Sequence, residues 1–157
     1  MSDVEYEAFH SKSVDEYARV HVEAGNWLES EAMVLSKNAL EQLLPQGRDT
    51  PRVLLLSADN SHGEYVGYLW IGLDRPGISK PFAWIYDIEV AKEQRGKGYG
   101  RDLLRAAEVE TLRHGINTLG LNVFGTNHVA RNLYKSEGYS ITQISMSKKL
   151  GAEEDSQ

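Results

Sequence analysis

Three glycines alternate with a lysine and a tyrosine in Gln94-Arg95-Gly96-Lys97-Gly98-Tyr99-Gly100, and this segment constrains the fold more than any other. Before it stands an aromatic and β-branched run, residues 82–90, that reads as a strand. After it, Leu103, Leu104, Ala107 and Leu112 recur at helical spacing to about residue 114, and Gly115 ends the pattern. Glycines between a strand and a helix allow positive φ and close backbone approach to a ligand. Successive N–H groups there, with those of the helix start, form a cradle for an anion. Lys92, Arg95, Lys97 and Arg101 against Glu93 give a local charge of +3. The loop is therefore expected to hold phosphate.

The known nucleotide loops fit poorly. A P-loop continues Gly-Lys into Ser or Thr, which holds magnesium. Here Gly96-Lys97 runs into Gly98-Tyr99. A dinucleotide fingerprint needs G-x-G-x-x-G and an acid about 20 residues on for the ribose. The chain has G-x-G-x-G, and no Asp or Glu lies between Glu110 and Glu137. A glycine turn without a ligand is the remaining alternative, weakened by the four bases beside it.

The rest of the chain supplies the layers. Ser13 and Glu16 have capping-box spacing and predict a first helix over 13–24, stopped by Gly25-Asn26. A second helix is predicted over 29–44, with Ala32, Leu35, Ala39, Leu40 and Leu43 at helical spacing and Pro45 and Gly47 after it. Strands are predicted over 52–58 and 65–73, joined by turn chemistry at Asn60–Gly63, and over 118–124 and 139–150. Asn127 caps a short helix predicted over 127–137, which Gly138 follows. The order is ααβββαβαβ. This is an α/β (α+β) chain, with a mixed, mostly antiparallel sheet between helices.

A length of 157 residues fits one domain, 1–150, followed by an acidic tail, 151–157. The net charge of −6 argues against nucleic acid as a partner. The absence of cysteine excludes disulfides, thiolate metal sites and a cysteine nucleophile. No apolar run approaches the ~20 residues of a membrane span, and the first ten residues lack a signal-peptide pattern. A cytoplasmic protein with no membrane partner is expected. The five histidines show no metal spacing. The charge is split: residues 1–44 carry −6, residues 45–150 carry +3 and the tail −3.

Arg95-Gly96-Lys97-Gly98-Tyr99-Gly100 resembles the R/Q-x-x-G-x-G/A signature of the Gcn5-related N-acetyltransferases, the GNAT superfamily. Trp84-Ile85-Tyr86-Asp87-Ile88-Glu89-Val90 stands where that family has its preceding strand. Asn127-x-x-Ala130-x-x-Leu133-Tyr134-x-x-x-Gly138-Tyr139 resembles its second motif, about thirty residues on. The resemblance covers nearly the whole chain. It implies a GNAT fold and an acetyl-CoA cofactor, with the pyrophosphate on Arg95, Gly96, Lys97, Gly98, Tyr99 and Gly100. It implies that the pantetheine lies in a splay between the preceding strand and the next, on backbone groups of Ile88 and Val90. It also implies that the acceptor is a primary amine of a small molecule, protein or peptide. A homodimer is left open.

Acetyl transfer to an amine requires deprotonation of an ammonium, with pKa ~10.4 for Lys or ~8 for an α-amine. It also requires a polarised carbonyl, a protonated leaving thiolate and in-line reactants. With no cysteine, and as the resemblance implies, direct attack is expected. The resemblance makes Tyr134 the general acid. Asn127, Arg131 and Tyr134 follow i, i+4, i+7 spacing on one helix face, which would let Asn127 and Arg131 contact the cofactor. An ordinary packed tyrosine is the alternative. Asp87 and Glu89 alternate onto one strand face. Two acids on an apolar strand are costly unless they meet water, a partner or a substrate. Glu89 is the candidate base, with a pKa raised by burial, and Asp87 the site for the substrate cation. A structural pairing with Arg52 or Arg75 is the alternative. Trp27 and Glu31 are weaker acceptor candidates, and a CoA-binding module without turnover is the rival function.

Overall fold

The computed structural model of the chain describes residues 1–148 and residue 150. The expected acidic tail, 151–157, lies outside the described residues. The chain divides into two compact units, Met1–Asn122 and Val123–Gln157.

The first unit opens with α1 (Asp3–Glu23) and α2 (Glu29–Leu43). The first helix is capped at Ser2, eleven residues before the cap predicted at Ser13. Its capping box is Ser2 with Glu5: Ser2 Oγ accepts from Glu5 N–H at 3.3 Å, and the Glu5 carboxylate accepts from Ser2 N–H at 2.6 Å. The Ser2 N–H, and then the Ser2 hydroxyl donating to the same carboxylate at 2.7 Å, hold the Glu5 carboxyl down at about 2. Ser13 is no cap. No breaker separates it from the upstream turns, so it is buried in the middle of α1. Gly25, at φ +72°, ends the helix in the left-handed region. Buried Ser36 donates to Val14 O at 2.7 Å and ties α2 to α1.

Three strands follow: β1 (Val53–Asp59), β2 (Tyr65–Gly72) and β3 (Ala83–Val90), antiparallel in sequence order. Helix α3 (Tyr99–Arg113) then crosses to β4 (Leu119–Leu121), which pairs parallel with β3. The sheet order β1-β2-β3-β4 is mixed, as expected. Alternation of side chains gives it two faces. On one face, Phe9 of α1 packs edge-on against Tyr68 and Trp70, at 5.2 and 5.6 Å between centroids. Val14, Leu40, Leu44 and Leu55 complete that core. On the other face, Leu69, Ile71, Ala83 and Ile85 are buried, and α3 packs on β2 and β3 with Leu103, Leu104 and Ala107 inward.

Two irregularities in β2 and β3 position the site. Gly67 has φ +155°, and a β-carbon there would sit 2.0 Å from Glu89 O. Only glycine lets β2 approach β3 this closely. The register then slips: Trp70 faces Asp87 while Ile71 faces Ile85, leaving Tyr86 as the extra residue of a bulge. Tyr86 stacks on Trp70 at 5.0 Å, so it shares the α1 face with Asp87. Pairing with β4 stops at Ile85↔Leu121, just before the bulge. For that reason β4 is three residues long, not the seven expected over 118–124. Past Ile85, the β3 edge has no paired strand among the described residues.

The second unit holds α4 (His128–Ser136). Asn127 caps it, its side-chain oxygen accepting from Ala130 N–H at 3.1 Å, as the sequence predicted. The strand expected over 139–150 is not formed in 139–148. Ile141, Ile144 and Met146 are spaced i, i+3, i+5, which breaks the period of two that one buried strand face needs. The observed order over the described residues is therefore ααβββαβα. No helix among them is long and apolar enough to cross a membrane.

Candidate active site

The glycine loop follows β3 through a one-turn 3-10 helix, Lys92–Gln94. Gly96 and Gly98 have φ of +77° and +93°, a region that disfavours side chains. Gly98 N-caps α3, and its carbonyl accepts from Arg101 N–H at 3.0 Å. Among the described residues, the N–H groups of Gly96, Lys97, Gly98, Tyr99 and Gly100 donate to no backbone carbonyl. A β-carbon on Gly96 or Gly98 would meet nothing within 4 Å, so the loop faces open space. Unpartnered amides, a helix N-terminus and nearby bases fit an anion. The side chains are less uniform in direction. Lys97 Nζ donates to Gln94 Oε1 at 2.9 Å. Arg95 folds back, donating from Nε to Val90 O at 3.0 Å and lying 3.6 Å from Glu89 Oε1. The Tyr99 hydroxyl accepts from Asn60 at 3.4 Å, beside a cavity of about 360 Å³ at the β1–β2 turn.

The open edge of β3 runs into this loop. Ala91 N–H donates to Val66 O on β2. Alternation then turns the backbone groups of Glu89 toward β2 and those of Ile88 and Val90 toward the open edge. The Val90 carbonyl already accepts from Arg95.

Asp87 and Glu89 share the α1 face, as expected, but their partners differ from those considered. Arg52 pairs with Asp74, and Arg75 lies over the Trp84 ring at 3.9 Å. The two acids instead share one phenol. The Tyr68 hydroxyl donates to Asp87 Oδ2 at 2.6 Å and reaches Glu89 Oε2 at 3.3 Å. Lys12, from α1, forms an ion pair with Glu89 Oε2. Burial, then the charge of Asp87, pushes the Tyr68 phenol well above its ordinary value, so it remains a donor. Burial also raises the Asp87 carboxyl, against the Tyr68 hydrogen bond; Glu89 adds to the rise. Neither Tyr68 nor Lys12 was singled out from sequence. Tyr68 becomes visible once β2–β3 register sets it opposite Glu89. Lys12 sits one turn beyond core residue Phe9, a weak signal by itself.

A raised carboxyl has a signed effect on stability. Between the ordinary aspartate value and the raised folded value, the native state holds a proton that the unfolded chain releases. Stability therefore falls as pH rises through that window. Asp87→Asn keeps an acceptor for Tyr68 and removes the buried charge. The variant is expected to be the more stable at neutral pH, by on the order of 1 kcal/mol. The gain should vanish below the ordinary aspartate range. Urea midpoints for both proteins across pH check this; a gain that persists in acid would assign the effect to packing.

In the second unit, Arg131 donates to Gly125 O at 2.9 Å, bracing the turn before α4. Tyr134 is half-buried, its ring 5.9 Å from that of Tyr139. At the α1–α2 turn of the first unit, Trp27 stacks on His21 at 4.0 Å and meets Tyr17 at 5.4 Å, which makes it part of an aromatic cluster. Glu31 is exposed.

The sequence model of the Acetyltransferase (GNAT) family matches residues 15–139. The chain is 37% identical over 150 residues to the uncharacterised N-acetyltransferase YycN of Bacillus subtilis, covering 96% of each. It is 35% identical to the uncharacterised N-acetyltransferase YdgE of the same organism, covering 96% of this chain and 95% of the relative. The crystal structure of YycN superposes with a TM-score of 0.87, covering 97% of this chain and 96% of that one.

Proposed function

Because the chain belongs to the GNAT acetyltransferase family, we propose that it moves the acetyl group of acetyl-CoA to a primary amine by direct attack. It is an N-acetyltransferase, as its relatives are. One observation carries the choice of donor. The β3–β4 ladder ends at Ile85, and the open edge beyond it leads into the N–H groups of Gly96 to Gly100, before and at the start of α3, which donate to no backbone carbonyl among the described residues. An extended chain ending in a pyrophosphate matches that sequence of groups, edge first and anion cradle second. The thioester would supply the activated acetyl group.

The chain's own residues divide the remaining work. Gly96 to Gly100 bind the anion through backbone, with Lys97 and Arg95 adding charge. Backbone groups of Ile88 and Val90 line the edge. Asn127 contributes its side-chain amide N–H groups, its oxygen being taken by Ala130 N–H, and Arg131 contributes donors other than the one used at Gly125. Glu89 takes the amine proton, and Asp87, sharing Tyr68 with it, attracts the ammonium. The net charge of −6 on residues 1–44 favours a cationic acceptor over an acidic one. Tyr134 protonates the leaving thiolate. The family match crosses both units, which supports residues 1–150 working as one catalytic domain.

The deciding experiment is CoA-thiol release from acetyl-CoA with polyamines, amino acids, aminoglycosides and peptides. Release with any amine class supports the reading. Tight acetyl-CoA binding with no release from the whole panel would favour the silent binding module. Tyr134→Phe keeps the ring and removes the proton. Its kcat is expected to fall roughly 10-fold or more, with acetyl-CoA affinity nearly unchanged. Unchanged turnover would make Tyr134 a packing residue.

A further inference from the structure

Lys12 brings a primary amine to the carboxylate proposed above as the base. Its Nζ is paired with Glu89 Oε2, 77 residues away in sequence, and lies 5.8 Å from the centroid of the Tyr68 ring. The side chain is 40% exposed, enough for a reagent to reach it, whereas that of Glu89 is 23% exposed. Both line a cleft of about 570 Å³ between α1 and the ends of β2 and β3, with Phe9, Tyr65 and Tyr68. An amine, its proton acceptor and a solvent-connected cavity thus already stand together.

We propose that Lys12 Nζ is a modification site, acetylated by the chain itself from an acetyl thioester. This rests on the acyl-transfer reading given above. The step balances without a further reagent. The Lys12 nitrogen forms a bond to the acetyl carbon, and the carbon–sulfur bond breaks. The ammonium gives up two protons. One passes through Glu89 to water, and the other ends on the departing thiol. Acetylation removes the Lys12 charge and with it the ion pair, leaving Glu89 with Arg95 at 3.6 Å and the Tyr68 hydroxyl.

The test is a time course of the purified full chain with isotopically labelled acetyl-CoA and no added amine, read by peptide mass spectrometry. Lys37 and Lys80 are exposed and serve as internal controls for uncatalysed acetylation. Lys12 is expected to acquire label roughly 10-fold faster than either, with a rate constant independent of protein concentration. In Glu89→Gln, labelling of Lys12 should slow while that of Lys37 and Lys80 does not change. Lys12 labelling no faster than the controls, or proportional to protein concentration, overturns the proposal. Release of CoA with an external amine, while Lys12 stays unlabelled, sinks self-acetylation and leaves the acyl-transfer reading intact. No acetyl-CoA binding by calorimetry sinks both.

Discussion

Gly98→Asp is expected to abolish acetyl-CoA binding, with an affinity loss of roughly 100-fold or more. Two effects combine. The φ of +93° at Gly98 lies where an L-residue costs about 1–2 kcal/mol. The new carboxylate would stand at the helix N-terminus among the N–H groups meant for pyrophosphate, repelling it and competing for the same donors. Loss of fold should not be the cause. A β-carbon there meets nothing within 4 Å, and aspartate is otherwise a favourable N-cap. Gly98→Ala separates the effects: it carries the strain without the charge and should bind much better than the aspartate variant. Calorimetric titration of both, with thermal melting as the fold control, reads the result. Wild-type affinity in Gly98→Asp would remove the cradle from the cofactor site.

Local signals in the sequence carried through where one short segment decides the outcome. The glycine loop, the strand before it and the Asn127 cap depend on neighbours within a few residues, and all three form where expected. Ser13 shows the limit of such signals. Its spacing to Glu16 suits a cap, but a stronger box at Ser2–Glu5 starts the helix earlier, and a mid-helix serine is left buried. The strand expected over 139–150 is absent from 139–148 for another reason: a strand exists only with a partner, and irregular spacing of Ile141, Ile144 and Met146 offers none a clean face. The candidate site was legible as two acids on one strand face. What they touch was not. The Lys12–Glu89 pair and the Tyr68 bridge are set by helix-to-sheet packing and by strand register, neither of which a single sequence displays.

Glu89→Gln is the sharpest test of the chemistry, because glutamine keeps one oxygen acceptor, which Lys12 and Tyr68 can share as they share Oε2, while losing the basicity. The packing around Phe9 and Tyr68 should therefore persist, and acetyl-CoA affinity should stay near wild type. The expected loss is in turnover, roughly 100-fold in kcat/KM, the scale of a positioned base. The pH profile gives the sign. In the wild type, protonating the base shuts the reaction down as pH falls, so kcat/KM has an acidic limb. Without a titrating group at position 89, that limb should be replaced by one set by the amine's own deprotonation, the residual rate following the free amine alone. Asp87→Asn must be measured beside it. Burial raises Asp87, and the two carboxyls share Tyr68, so the limb belongs to the pair until one variant removes it. If Asp87→Asn abolishes the limb and Glu89→Gln leaves it unmoved, the base is Asp87, and Glu89 serves to hold Lys12. If both leave it unmoved, neither carboxylate takes the proton, and the amine must enter the site already neutral.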